Sequence, residues 1–97
     1  AVGPFSTAAG LNTNAGGYAA TTLGQNTTAS GSAATAIGLG TTASGAAATA
    51  LGQNTTASGM RSLAAGFSSI ASGLDSVAFG QNATTASGDT WCSPMAV

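Results

Sequence analysis

Glycine recurs at every seventh position along most of the chain: Gly3, Gly10, Gly17, Gly24, Gly31, Gly38, Gly45, Gly52, Gly59, Gly66, Gly73 and Gly80, then Gly88 after a step of eight. A seven-residue period invites a coiled coil, and these glycines argue against it. Each costs ~1 kcal/mol against alanine inside a helix, the surrounding Thr and Ser are weak helix formers, and no Glu or Lys flanks a seam. Alanine stands two residues before almost every glycine, Thr22 being the exception, so the unit reads x-x-Ala-x-Gly-x-x.

Alternate units differ, which doubles the period to 14 residues. One half reads TTASG at 27–31, 41–45, 55–59 and 84–88, with SIASG at 69–73; the other reads ATAIG at 34–38, ATALG at 48–52, SLAAG at 62–66 and SVAFG at 76–80. Each half predicts a strand of about five residues followed by a glycine-permitted bend. Two strands and two bends make one coil of a parallel β-solenoid, and coils stacking at ~4.8 Å place equivalent residues directly above one another. LGQNTTASG, at 23–31 and again at 51–59, is then one column seen two coils apart. In FGQNATTASG at 79–88 the extra residue, Ala83, predicts a bulge in the bend where the repeat begins to end.

Strand side chains alternate, so the alanine of each half points one way and its neighbours the other. The small-residue column is expected to fill a narrow interior; the alternative puts Ile37, Leu51 and Phe79 inside. With alanine inside, one outer surface is a hydroxyl ladder of Thr28 and Ser30, Thr42 and Ser44, Thr56 and Ser58, Ile70 and Ser72, and Thr85 and Ser87. These give a candidate ligand-binding face at Thr28, Ser30, Thr42, Ser44, Thr56 and Ser58. The opposite surface is an apolar strip of Leu23, Ile37, Leu51, Leu63, Val77 and Phe79, the candidate interface between copies. Ordering each residue costs ~1–2 kcal/mol of backbone entropy, and alanine returns little area at ~25 cal/mol per Å². A homo-oligomer that buries the strip is therefore expected.

Charged residues are only 3% of the chain, namely Arg61, Asp75 and Asp89, and His is absent. Nucleic acid and anionic membrane surfaces find almost nothing to hold by charge. Without His or Lys the commonest acid–base catalysts and metal ligands are missing, so neither enzymatic activity nor a cofactor is expected. Gly, Thr or Ser interrupts every apolar run well short of the ~18 residues of a membrane span. The first ten residues, AVGPFSTAAG, lack a signal peptide's basic flank and apolar stretch, and there is no initiator Met, as in a fragment of a longer protein.

The repeats SVAFGQNATTASG at 76–88, ATAIGLGTTASG at 34–45 and ATALGQNTTASG at 48–59 resemble the head repeat of trimeric autotransporter adhesins, whose prototype is the Yersinia adhesin A (YadA) head. The resemblance covers residues 1–88, leaving 89–97 as an irregular cap or the start of a linker. It implies an all-β fold, a left-handed parallel β-roll with 14-residue coils, assembled side by side as a homotrimer. It also implies display outside an outer membrane, anchored through segments not present here, and binding to host matrix proteins such as collagen, fibronectin or laminin.

Threonine arrays offer a second reading. Flat, charge-free threonine rows on β-solenoids are how several insect antifreeze proteins match ice, and Thr28, Thr42 and Thr56 would form such a row. A phage or virus fibre segment built from the same repeat is a third. Asn26, Asn54 and Asn82 each open an N-x-T sequence, but their shared column beside Gly-Gln favours a turn residue over a glycan site. Arg61 stands one coil before Asp75 in the same column, which predicts an exposed ion pair. Trp91, Cys92 and Pro94 fall where the pattern fails and are read as a cap on the last coil; Cys92, the single cysteine, has no partner within its own chain.

Overall fold

Strand lengths follow from where each coil can lie flat. The computed structural model describes residues 3–85 and the backbone of Trp91–Cys92. Long strands, each of five residues, are β1 (Thr7–Leu11), β3 (Thr21–Gln25), β5 (Thr35–Leu39), β7 (Thr49–Gln53), β9 (Leu63–Phe67) and β11 (Val77–Gln81). Short strands of two residues alternate with them: β2 (Asn14–Ala15), β4 (Thr28–Ala29), β6 (Thr42–Ala43), β8 (Thr56–Ala57), β10 (Ile70–Ala71) and β12 (Thr84–Thr85). With β13 (Trp91–Cys92), they form a seven-stranded sheet ordered β1-β3-β5-β7-β9-β11-β13 and a six-stranded sheet ordered β12-β10-β8-β6-β4-β2. Every pairing is parallel with a step of fourteen, as in Thr35↔Thr49 and Thr42↔Thr56. The chain is a parallel β-solenoid of about six coils.

The two halves are unequal, unlike the matched five-residue strands expected from the sequence. Gly24, Gly38, Gly52, Gly66 and Gly80 lie inside the long strands, not at their ends. Bends are made by other residues, which hold left-handed backbone angles at both corners: Asn26, Asn54, Ser68 and Asn82 at φ 57–58°, and Ala19, Ala33, Ala47, Arg61 and Asp75 at φ 56–59°. Asn tolerates this region well, which accounts for its column. The corners are laddered as well, since the Asn54 amide donates to the Leu39 carbonyl at 2.8 Å and the Ala47 amide to Ser32 at 2.7 Å.

The glycines serve stacking more than bending. A Cβ on Gly45 would overlap the carbonyl oxygen of Gly59 in the next coil, and one on Gly38 the carbonyl oxygen of Gly52. Each coil thus passes twice beneath a neighbour's backbone at a distance that only hydrogen can fill. Two such passages per 14 residues produce the seven-residue glycine period.

Alanine is the interior: Ala29, Ala36, Ala43, Ala50, Ala57, Ala64, Ala71 and Ala78 have no exposed surface. Ile37 and Leu51 are half-buried and Phe79 exposed, so the alternative interior does not form. Two further columns join the alanines, Ala20, Ala34, Ala48, Ser62 and Ser76, and Thr27, Thr41, Thr55, Ser69 and Ala83. Inward serines satisfy their hydroxyls locally, as when Ser62 Oγ donates to the Gly59 carbonyl at 2.7 Å and Ser76 Oγ to Gly73 at 2.7 Å. The hydroxyls of Thr27, Thr41 and Thr55 are buried with no partner. An unpartnered buried hydroxyl costs about 1–3 kcal/mol, and Val keeps the branched shape. Thr41→Val is accordingly expected to raise unfolding free energy by ~1 kcal/mol, read as a higher denaturant midpoint with an unchanged slope.

Ala83 does not make a bulge. Asn82 keeps φ at 58°, and the Ile70 amide donates to the Ala83 carbonyl at 2.7 Å, so the step of fourteen continues as Ile70↔Thr84 and Ala71↔Thr85. Ala83 fits because it occupies the buried Thr55 and Ser69 column, where a small residue suffices. The consequence falls on the next residues: Thr84 takes the outward column and Thr85 the inward one, where it is 2% exposed. Thr85 is therefore not part of the outer hydroxyl ladder, and Ser87 lies outside the described residues. The same step reaches β13, with Val77↔Trp91 and Ala78↔Cys92; Asp89 and Pro94 also lie outside the described residues.

Candidate interaction faces

The six-stranded sheet presents its hydroxyls in register. Because Ala29, Ala43 and Ala57 point inward, Thr28, Thr42 and Thr56 point outward and stack through Thr28↔Thr42 and Thr42↔Thr56. Asn14 precedes them in the column, and Ile70 and Thr84 follow. Ser30, Ser44 and Ser58 form a second, exposed row beside the half-buried threonines. Their backbones are tied coil to coil, the Ser30 amide donating to Ala43 and the Ser44 amide to Ala57, both at 3.0 Å.

On the outer face of the seven-stranded sheet the six apolar residues named from the sequence fall into two adjacent columns. Leu63 and Val77 continue the column of Thr21, Thr35 and Thr49; Leu23, Ile37, Leu51 and Phe79 share the next one with Ala65. Ile37, Leu51, Leu63 and Val77 are half-buried, whereas Leu23 is 37% and Phe79 50% exposed. A third column of the same sheet, not singled out from the sequence, runs Leu11, Gln25, Leu39, Gln53, Phe67 and Gln81. Leu39 and Phe67 are 40% and 43% exposed there. Its strict alternation of apolar residue and Gln at every second coil was the available signal. The apolar surface is thus wider than a strip, and a sheet of Leu, Ile, Val and Phe open to water is the mark of an association surface.

Among the described residues charge is confined to one corner. The Arg61 Nε lies 2.6 Å from Asp75 Oδ1 and its second nitrogen 2.9 Å from Oδ2, a two-pronged pair between successive coils. The hydrogen bond from Arg61 holds the Asp75 carboxyl below the usual carboxylate range, reinforced by the guanidinium charge. An exposed pair of this kind contributes little to stability. Met60 and Leu74, both exposed, stand beside it. At the other end of the rod Phe5 and Tyr18 pack edge to face with ring centres 5.6 Å apart.

Among the described residues no group of three or more His, Cys, Asp and Glu side chains is placed to hold a metal. What the geometry offers instead is two extended faces of opposite chemistry. A family model for the YadA head domain repeat, two copies long, matches residues 15–41, 29–55, 43–69, 57–83 and 71–90. Successive matches are displaced by one coil. Comparison with curated proteins yields no match.

Proposed function

Because the chain belongs to the family of YadA head domain repeats, we propose that it is a non-catalytic adhesive head module of a trimeric autotransporter, displayed at a bacterial cell surface. Three copies pack side by side as left-handed β-rolls with their seven-stranded sheets toward one another. Leu23, Ile37, Leu51, Leu63, Val77 and Phe79 lie at that interface, and an anchor elsewhere in the full protein holds the head at the outer membrane. Residues 1–88 form the head and 89–97 its cap or the passage to the next segment.

The observation that carries this reading is the apolar outer face of the seven-stranded sheet, in a chain whose interior holds only alanine, serine and threonine side chains among its described residues. Such a roll has little buried area of its own, and the family pattern supplies a way to gain more. The outward rows of Thr28, Ser30, Thr42, Ser44, Thr56 and Ser58 then remain on the outside of the trimer as the binding face. A repetitive face suits extended ligands better than small molecules, and host matrix proteins such as collagen, fibronectin or laminin are the expected class. Surface plasmon resonance of the purified head over these three immobilised proteins should show saturable binding to at least one. Responses no greater than those on an albumin surface for all three would overturn the matrix assignment.

A further inference from the structure

The hydroxyls of Thr28, Thr42, Thr56, Ser30, Ser44 and Ser58 make no hydrogen bond within the described chain, in contrast to the inward Ser62 and Ser76. They are held in two straight rows. At the corner of Ala19, Ala33, Ala47, Arg61 and Asp75 the φ angles repeat within three degrees from coil to coil, and buried alanines lie beneath the rows. Threonine in a stacked strand has few χ1 choices, so each methyl and hydroxyl repeats its neighbour at the strand spacing of ~4.8 Å. No charged side chain stands in either row.

We infer that this face binds ice. A plane of ice is an uncharged array of donors and acceptors repeating at a length comparable to the strand spacing. The unpaired threonine hydroxyls, with methyl groups between them, match such an array at little entropic cost, because β-branching limits these side chains before contact. A crystalline polysaccharide is the other repeating uncharged surface, but sugar rings stack on aromatic platforms, and the two rows contain none. Ice would be a second partner, besides the matrix proteins proposed above, for the face that the adhesive reading leaves outward. The inference rests on that reading only in requiring that assembly cover the other sheet.

The test grows ice slowly from a dilute solution of the intact chain and measures protein concentration in the ice and in the remaining liquid. The unaltered chain should be enriched in ice at least several-fold over albumin. Thr42→Lys should fall to the albumin level, and Ser32→Lys, at an exposed corner between the two sheets, should remain enriched. Ser44→Lys reads the same face if Thr42→Lys does not fold by circular dichroism. Exclusion of the unaltered chain from ice overturns the inference, as does undiminished enrichment of folded Thr42→Lys or Ser44→Lys. Sedimentation of the same samples separates the two readings: a trimer excluded from ice overturns ice binding alone, whereas a folded monomer counts against the trimeric head.

Discussion

Gly45→Ala is expected to abolish the stacked fold. The added methyl would overlap the carbonyl oxygen of Gly59, which is backbone and cannot swing aside as a side chain would. The Gly45 coil is tied from both sides, with the Gly45 amide donating to the Ala57 carbonyl and the Gly31 amide to Ala43, both at 3.4 Å. Relief would require the coils to separate and release part of a parallel ladder. Overpacking in an ordinary core costs about 1–3 kcal/mol; here the expected cost is at least ~3 kcal/mol, at the upper end because nothing soft is adjacent. Gly38→Ala adds backbone strain, since φ is 128° there. Ser44→Ala, one residue away and outward, should change stability by less than about 0.5 kcal/mol. Thermal unfolding by circular dichroism reads all three. A Gly45→Ala midpoint within a few degrees of the unaltered chain would show that the glycine period has another cause.

Leu51→Lys should dissociate the proposed trimer. Leu51 is half-buried in the single chain, with its side chain directed outward between Ile37 and Ala65. A lysine there can reach water in a monomer, but in the assembly three ammonium groups would be confined in an apolar interface, and the one carboxylate among the described residues, Asp75, is paired with Arg61 at a corner. A buried unpaired charge costs several kcal/mol, and ~3 kcal/mol weakens association about 100-fold. Because the roll would gain buried area through the proposed assembly, loss of the trimer should bring a lower unfolding midpoint as well. Sedimentation velocity over a range of concentrations reads the first effect. A Leu51→Lys protein as trimeric as its parent would remove the seven-stranded sheet from the interface.

Much of the solenoid was legible because its constraints are local and repeat. Alanine before glycine, fourteen apart, marks a chain that turns through the same small interior on every coil, and Ala36, Ala50, Ala64 and Ala78 are fully buried as that pattern requires. The role of the glycines was less legible, since a turn and a close crossing both select glycine and only coordinates distinguish them. The bends were visible at Asn26, Asn54 and Asn82 but hidden at Ala33, Ala47 and Ser68, residue types that do not advertise φ near 58°. Ala83 misled because letter matching aligned TTASG with TTASG, whereas hydrogen bonds between neighbouring coils fix the register. Thr27, Thr41 and Thr55 were hidden for a related reason: a threonine reads as surface, yet in a coil this narrow alternation drives it inward even without a partner for its hydroxyl. Both candidate faces could be listed from the sequence, but the third column with Leu39 and Phe67 emerged only once residues after the strand glycine were placed on the same sheet.

The proposed trimer requires that the apolar outer face of the seven-stranded sheet be buried by two further copies of the chain. Sedimentation equilibrium of the purified protein at micromolar concentration tests this without any variant. A single species of three times the chain mass is the result predicted. A folded chain that stays monomeric, with the parallel-β circular dichroism intact and a cooperative unfolding transition, would contradict it.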